Sequence, residues 1–247
     1  MTGLPTHLPG DNPARPAPAA ARLLLVSQSP RRRRLLAWLG LPFSATAVDT
    51  PEDLDTPLAR NPTALAESLA AEKAEAARTE GLGGGALILC FDTIVVLGGE
   101  VLGKPRDLPD AWRMLRALSA RTHQVVTGVA LACPGETTAR TFAVTTDVTM
   151  KSLSDCRIDA WMAQGEYMGC AGAYNIEGQV AEVTADECYQ NVAGLPLCHL
   201  YAELEREAAR EPSGCLADSR PNSPVAACDA ALGRSCRLGP RLLSAAD

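Results

Sequence analysis

Strand and helix signals alternate through the middle of the chain, and this predicts an α/β fold: a two-lobed mixed sheet with flanking helices. Three observations carry the expectation. Arg22 to Ser27 reads as a short buried strand that leads into a helix from Pro30 to about Leu39, stopped at Gly40. Ala86 to Leu97 reads as a long strand that Gly98-Gly99 turns back into Glu100 to Leu102. Two further long strands, Gln124 to Cys133 and Thr137 to Met150, are joined at Pro134-Gly135. Hairpins make antiparallel pairs and strand–helix–strand units make parallel ones, so the sheet should hold both.

The remaining elements follow from local signals. Phe43 to Val48 is the second strand. Asn61-Pro62 starts a helix, with Asn as N-cap and Pro at the first helical position. It runs through Leu65, Leu69 and Ala76 to the glycines at 81, 83, 84 and 85. Asp107 caps a helix ending near Ser119, Ser154 caps another, and Leu197 to Arg206 is the last. Residues 1–21 carry Pro5, Pro9, Pro13, Pro16 and Pro18 without apolar periodicity and read as a disordered leader. From Glu207 the pattern is lost again, so 207–247 reads as a poorly ordered tail, with a capping helix over Ala226 to Leu232 as the alternative. The folded domain is expected over 22–206.

Composition narrows the class. Of 247 residues, 47% are hydrophobic and 21% charged, which is globular composition. No apolar run approaches the roughly 20 residues of a membrane span, and none near the start suits a signal peptide, so a cytoplasmic protein with no membrane partner is expected. The net charge of −6 argues against a general nucleic-acid binder. Nine cysteines, scattered and without a C-x-x-C pair, read as reduced thiols. Only Lys73, Lys104 and Lys151 interrupt an otherwise all-arginine basic set, a skew that fits a GC-rich genome.

Four segments could carry chemistry. In Ser27-Gln28-Ser29-Pro30-Arg31-Arg32-Arg33-Arg34 a strand ends in two serines and a helix begins, so free N–H groups and the positive dipole end face one point, a natural anion site. Arginines in a first turn oppose the dipole and make sense beside a polyphosphate. Four successive helical positions span about 300°, so Arg31 and Arg32 are the expected contacts; a solvated basic face is the alternative. Asp92 interrupts the apolar strand Phe91 to Val96, where an unpaired carboxylate is expensive, and so suggests a metal ligand, a base or an ion pair. Lys104 lies in the tight loop Gly103-Lys104-Pro105, placed to neutralise phosphate or simply at the surface. In Cys170-Ala171-Gly172-Ala173-Tyr174-Asn175-Ile176-Glu177-Gly178, small residues permit close backbone approach, and Tyr174 and Glu177 could contact a base or ribose; a packed turn fits equally. His123 and His199 have no Ser or Cys partner at a catalytic spacing.

In this order, Ser27-x-Ser29-Pro30-Arg31-Arg32, Glu72-Lys73-Ala74, Asp92-Thr93-Ile94-Val95, Gly103-Lys104-Pro105, Thr122-His123-Gln124-Val125, Thr146-Asp147-Val148-Thr149, Ala171-Gly172-Ala173-Tyr174 and Val192-x-Gly194-Leu195-Pro196 resemble the Maf family of nucleoside-triphosphate pyrophosphatases, also called septum-formation-inhibitor proteins. The resemblance spans roughly 22–206. It implies a fold like that of inosine-triphosphate pyrophosphatases with a nucleotide cleft between lobes, cleavage between the α and β phosphates, a divalent ion such as Mg²⁺, Mn²⁺ or Co²⁺, and a homodimer. It implies Asp92 as proton acceptor, with Arg31, Arg32, Lys73 and Lys104 toward the phosphates; the strand-end anion site adds Ser27 and Ser29 as expected phosphate contacts. The family commonly has Val-Asp-Glu where this chain has Val48-Asp49-Thr50, which leaves Asp49, Glu52 or Asp53 as metal partner. Cys170 and Glu177 are like the 7-methyl-GTP branch, whereas Asp92-Thr93 and Thr122-His123 are like the dTTP/UTP branch, so the base stays open. The rival expectation is a non-catalytic nucleotide-binding regulator of cell division.

Overall fold

The computed structural model describes residues 22–210, 214, 216 and 219–244; the leader assigned to 1–21 lies outside them. Seven strands form one mixed sheet: β1 (Leu23–Val26), β2 (Phe43–Thr46), β3 (Leu87–Leu97), β4 (Glu100–Leu102), β5 (Thr122–Ala132), β6 (Arg140–Met150) and β7 (Ala181–Glu182). Their order is β2-β1-β3-β5-β6-β7, with β4 against β3. β1 runs parallel to β2 and β3, and every other pair is antiparallel. The expected mixed sheet is therefore found, including the 98–99 hairpin.

Eight helices among the described residues accompany it: α1 (Pro30–Ala37), α2 (Pro62–Thr79), α3 (Leu108–Leu118), α4 (Asp155–Met162), α5 (Tyr189–Val192), α6 (Leu197–Arg210), α7 (Val225–Leu232) and α8 (Leu238–Ser244). None is long and apolar enough to cross a membrane. The expected caps Asn61, Asp107 and Ser154 close their helices, and Ser29 does the same for α1: each accepts a backbone N–H of the first turn, a contribution of about 1 kcal/mol apiece.

Strand alternation divides the core. Leu23, Leu25, Leu87, Leu89 and Phe91 face the helices α1, α3 and α6, which contribute Leu35, Leu36, Leu115, Leu118, Leu200 and Leu204. Leu24, Val26, Ile88 and Cys90 face the other way, onto the alanine-rich side of α2. Small side chains at Ala66, Ala70, Ala74 and Ala77 let that helix lie close to the sheet. Closest approach falls at Gly128 of β5, where a Cβ would stand 2.0 Å from the Ala66 carbonyl oxygen.

The C-terminal region departs from expectation. α6 continues to Arg210, and α7 and α8 occupy part of the stretch read as a poorly ordered tail, α7 matching the alternative capping helix closely. These helices hold by docking rather than by their own periodicity. Asn222 N–H donates to the Leu39 carbonyl at 2.8 Å, Cys228 is buried, and Arg237 and Arg241 both pair with Asp186. Helices of eight and seven residues are too short for a reliable periodic signal.

Candidate active site

β1 ends at Val26, whose register partner is Cys90, while β3 runs on to Leu97. Beyond the end of β1 the longer strand is left without that neighbour, and residues 27–29 lead there into α1. A cleft opens there, at the carboxyl end of β1, the usual location for ligands in open α/β sheets. It spans about 620 Å³ of space continuous with solvent and is lined by Arg31, Arg32, Glu52, Lys73, Asp92 and Lys104, among others.

Asp92 and Thr93 point to opposite faces of β3, and each meets a cation from a different helix. Asp92 is buried and ion-paired with Lys73 of α2. Lys73 also donates to Glu52 at 3.0 Å, and Glu52 in turn pairs with Lys104. Two carboxylates and two ammonium groups thus alternate across the cleft floor. Burial pushes the Glu52 carboxyl up, but Lys73 and Lys104 outweigh it and hold the group below its ordinary value.

On the other face, Arg32 Nη2 donates to Thr93 Oγ1 at 3.0 Å, Nε to the Gly194 carbonyl at 2.7 Å, and Nη1 to Ser27 Oγ at 3.4 Å. Its guanidinium stacks over the Phe91 ring, 5.6 Å from the centroid. Burial pushes the Arg32 pKa down, opposed by Asp92 and Glu52. Ser27 Oγ also accepts the Ser29 N–H at 3.1 Å, and Ser29 Oγ accepts the Arg32 N–H at 3.4 Å. Both serines therefore shape the turn that carries the arginines. Arg31 reaches across to Cys170, Nη2 to Sγ 3.1 Å.

The structure thus brings Ser29, Arg31, Arg32, Lys73, Asp92 and Lys104 to one cleft. Ser27, Asp49 and Glu177 line its outer continuation. Asp49 is exposed there and makes no ion pair among the described residues. Glu177 is exposed and paired with Arg34 at the rim. Tyr174 borders the cleft, but its hydroxyl is engaged by His123 Nε2 at 2.6 Å, the rings edge to face at 5.4 Å. Burial raises the Tyr174 pKa and lowers that of His123 to about 4, so both are neutral near pH 7.

Sequence reasoning did not find Thr93 and Gly194 as holders of Arg32, or the Arg31–Cys170 contact. Glu52 was one of three acids considered, and its position between the two lysines singles it out. Gly128 carried a usable signal: a glycine inside an apolar strand marks close backbone approach.

Fold and cleft together define an α/β protein able to hold a strongly anionic ligand beside a buried carboxylate. Over residues 22–207 the chain matches the family described as Maf-like protein, and it belongs to that family. It is 43% identical over 181 residues to the dTTP/UTP pyrophosphatase of Xanthomonas euvesicatoria pv. vesicatoria (strain 85-10), covering 72% of this chain and 94% of that protein. Identity is 44% over 193 residues to the dTTP/UTP pyrophosphatase of Geobacter sulfurreducens, covering 76% and 97%. To the enzyme of the same name from Anaeromyxobacter dehalogenans (strain 2CP-C) it is 45% over 196 residues, covering 76% and 94%.

Proposed function

We propose that this protein hydrolyses a nucleoside triphosphate between the α and β phosphates, releasing the monophosphate and pyrophosphate, and that dTTP and UTP are its substrates. The observation that carries the reading is the buried Asp92 carboxylate at the base of a cleft bordered by Arg31, Arg32, Lys73 and Lys104. The names of the three relatives support both the reaction and the choice of base.

In this reading Asp92 accepts the proton of a water that attacks the α phosphorus. Arg31, Arg32 and Lys104 hold the phosphates and stabilise the charge that grows on the departing pyrophosphate. Lys73, ion-paired with Asp92 and bonded to Glu52, holds the base in place. Ser27 and Ser29 set the turn that presents the arginines, and Tyr174 forms a wall for the base or ribose, with Glu177 at the outer rim.

A divalent ion fits the donors present. Glu52 and Asp92 offer hard carboxylate oxygens on either side of Lys73. Among the described residues no three His, Cys, Asp or Glu side chains gather around one point. Mg²⁺ needs only one or two carboxylates and completes its shell with substrate phosphate and water. Such an ion supplies Lewis-acid neutralisation of the phosphates. Glu52, rather than the exposed Asp49, is the carboxylate assigned to it.

The test is a panel of nucleoside triphosphates with Mg²⁺ or Mn²⁺, products separated by chromatography. Monophosphate and pyrophosphate from dTTP and UTP are expected. Diphosphate and orthophosphate would refute the reaction, and a preference for 7-methyl-GTP would refute the base assignment alone.

A further inference from the structure

We infer that Thr127 is a positioning residue for Arg32, the keystone of a closed ring of hydrogen bonds that fixes the guanidinium in the cleft; the inference rests on the phosphate role proposed above for Arg32. Thr127 lies on β5 directly opposite Thr93 of β3 and is wholly buried. Thr93 Oγ1 and Thr127 Oγ1 are 2.9 Å apart. Thr127 Oγ1 also lies 3.1 Å from the Asn191 carbonyl oxygen.

The direction of every proton in this chain follows from what each group can do. A guanidinium only donates, so Thr93 Oγ1 accepts from Arg32. A carbonyl only accepts, so the single hydroxyl proton of Thr127 goes to Asn191. The proton between the two threonines must then come from Thr93. The chain runs one way, from Arg32 through Thr93 and Thr127 to the Asn191 carbonyl.

A second arm leaves the same guanidinium and reaches the same oxygen. Arg32 Nε donates to the Gly194 carbonyl, and the Gly194 N–H donates to the Asn191 carbonyl at 2.9 Å. Asn191 is itself pinned to the sheet. Its Nδ2, with two protons to give, lies 3.0 to 3.1 Å from the carbonyls of Val125 and Val144 and from Thr146 Oγ1. Both arms therefore end on a fixed point in the interior. Three of the five N–H groups of Arg32 meet protein acceptors, which leaves the other two for a ligand in the cleft. Removing the Thr127 hydroxyl opens one arm, leaves Thr93 without an acceptor, and frees Arg32 to turn away from the phosphates.

The test uses the full chain as wild type, Thr127→Val, Thr127→Ser and Thr93→Val. Steady-state turnover of dTTP is measured together with affinity for an α,β-methylene nucleoside triphosphate, which cannot be cleaved at that bond. Thr127→Val should raise KM, weaken analogue binding by about tenfold and lower kcat as well, because Arg32 also meets the charge that grows on the leaving pyrophosphate. Thr127→Ser, which keeps the hydroxyl, should restore all three, and Thr93→Val should resemble Thr127→Val. A merely structural role lowers Tm and leaves the KM of the folded protein unchanged. Wild-type KM and analogue affinity in Thr127→Val would overturn the inference. If the wild type binds the analogue but does not turn over, the reading of the reaction fails and the binding comparison still decides the role of Thr127. If the wild type does not bind the analogue, both fall.

Discussion

Gly128 stands directly opposite Asp92 in the β3–β5 register, and the absence of a side chain at 128 is what lets α2 carry Lys73 onto that carboxylate. The two positions form one device. A Cβ at 128 would lie 2.0 Å from the Ala66 carbonyl oxygen and 2.6 Å from the Glu67 nitrogen, both backbone atoms that cannot swing aside. Gly128→Ala should therefore push α2 away from the sheet. The expected cost is about 1–3 kcal/mol of stability, seen in denaturant unfolding, with a loss of turnover in the protein that remains folded because Lys73 is displaced from Asp92.

Asp92→Asn keeps the shape of the side chain and removes its capacity to take a proton. Turnover should fall by about 10²–10⁴-fold, while nucleotide affinity stays within a few-fold of wild type. Stopped assays paired with calorimetric titration of an uncleavable analogue separate the two effects. A variant that turned over at the wild-type rate would remove Asp92 from the base role.

Glu52 lies between Lys73 and Lys104, so its loss leaves two ammonium groups facing each other. Its folded pKa lies below the ordinary value of 4.5. It therefore contributes stability above that pH, and the contribution is lost as pH falls through the folded value. Glu52→Gln should be less stable than wild type at neutral pH, and the difference should shrink as pH drops below 4.5. Urea midpoints at matched pH values give the comparison.

His123 has the same sign for a different reason. Burial lowers its pKa to about 4 from 6.5, so the folded protein holds it neutral while the unfolded chain takes up a proton. Its contribution is fully present above 6.5 and is lost as pH falls to about 4. Replacement by Asn should reduce the pH slope of unfolding free energy across that window by up to one proton, about 1.4 kcal/mol per pH unit. An unchanged slope would mean that His123 is already charged when folded.

Much of this architecture was legible because the signals were local. Ser29-Pro30 and Asn61-Pro62 are self-contained helix starts. Gly98-Gly99 turns a hairpin unaided, and a lone acid in Phe91-Asp92-Thr93-Ile94 announces itself against its apolar neighbours. Other features depended on distant pairings. Thr127 becomes informative only when the register sets it against Thr93 and α5 brings Asn191 over it. Glu52 sits outside any helix or strand and gains meaning from two lysines 21 and 52 positions further along the chain. Of the C-terminal helices α7 was read only as an alternative and α8 not at all, because docking to Leu39 and Asp186 holds this region and neither partner is a sequence neighbour.

In the proposed reaction water attacks the α phosphorus and pyrophosphate is the leaving group. Hydrolysis of dTTP by the full chain in heavy-oxygen water, followed by mass spectrometry of both products, tests it most directly. The label is expected in thymidine monophosphate, with none in pyrophosphate. Label in pyrophosphate or in orthophosphate would contradict it.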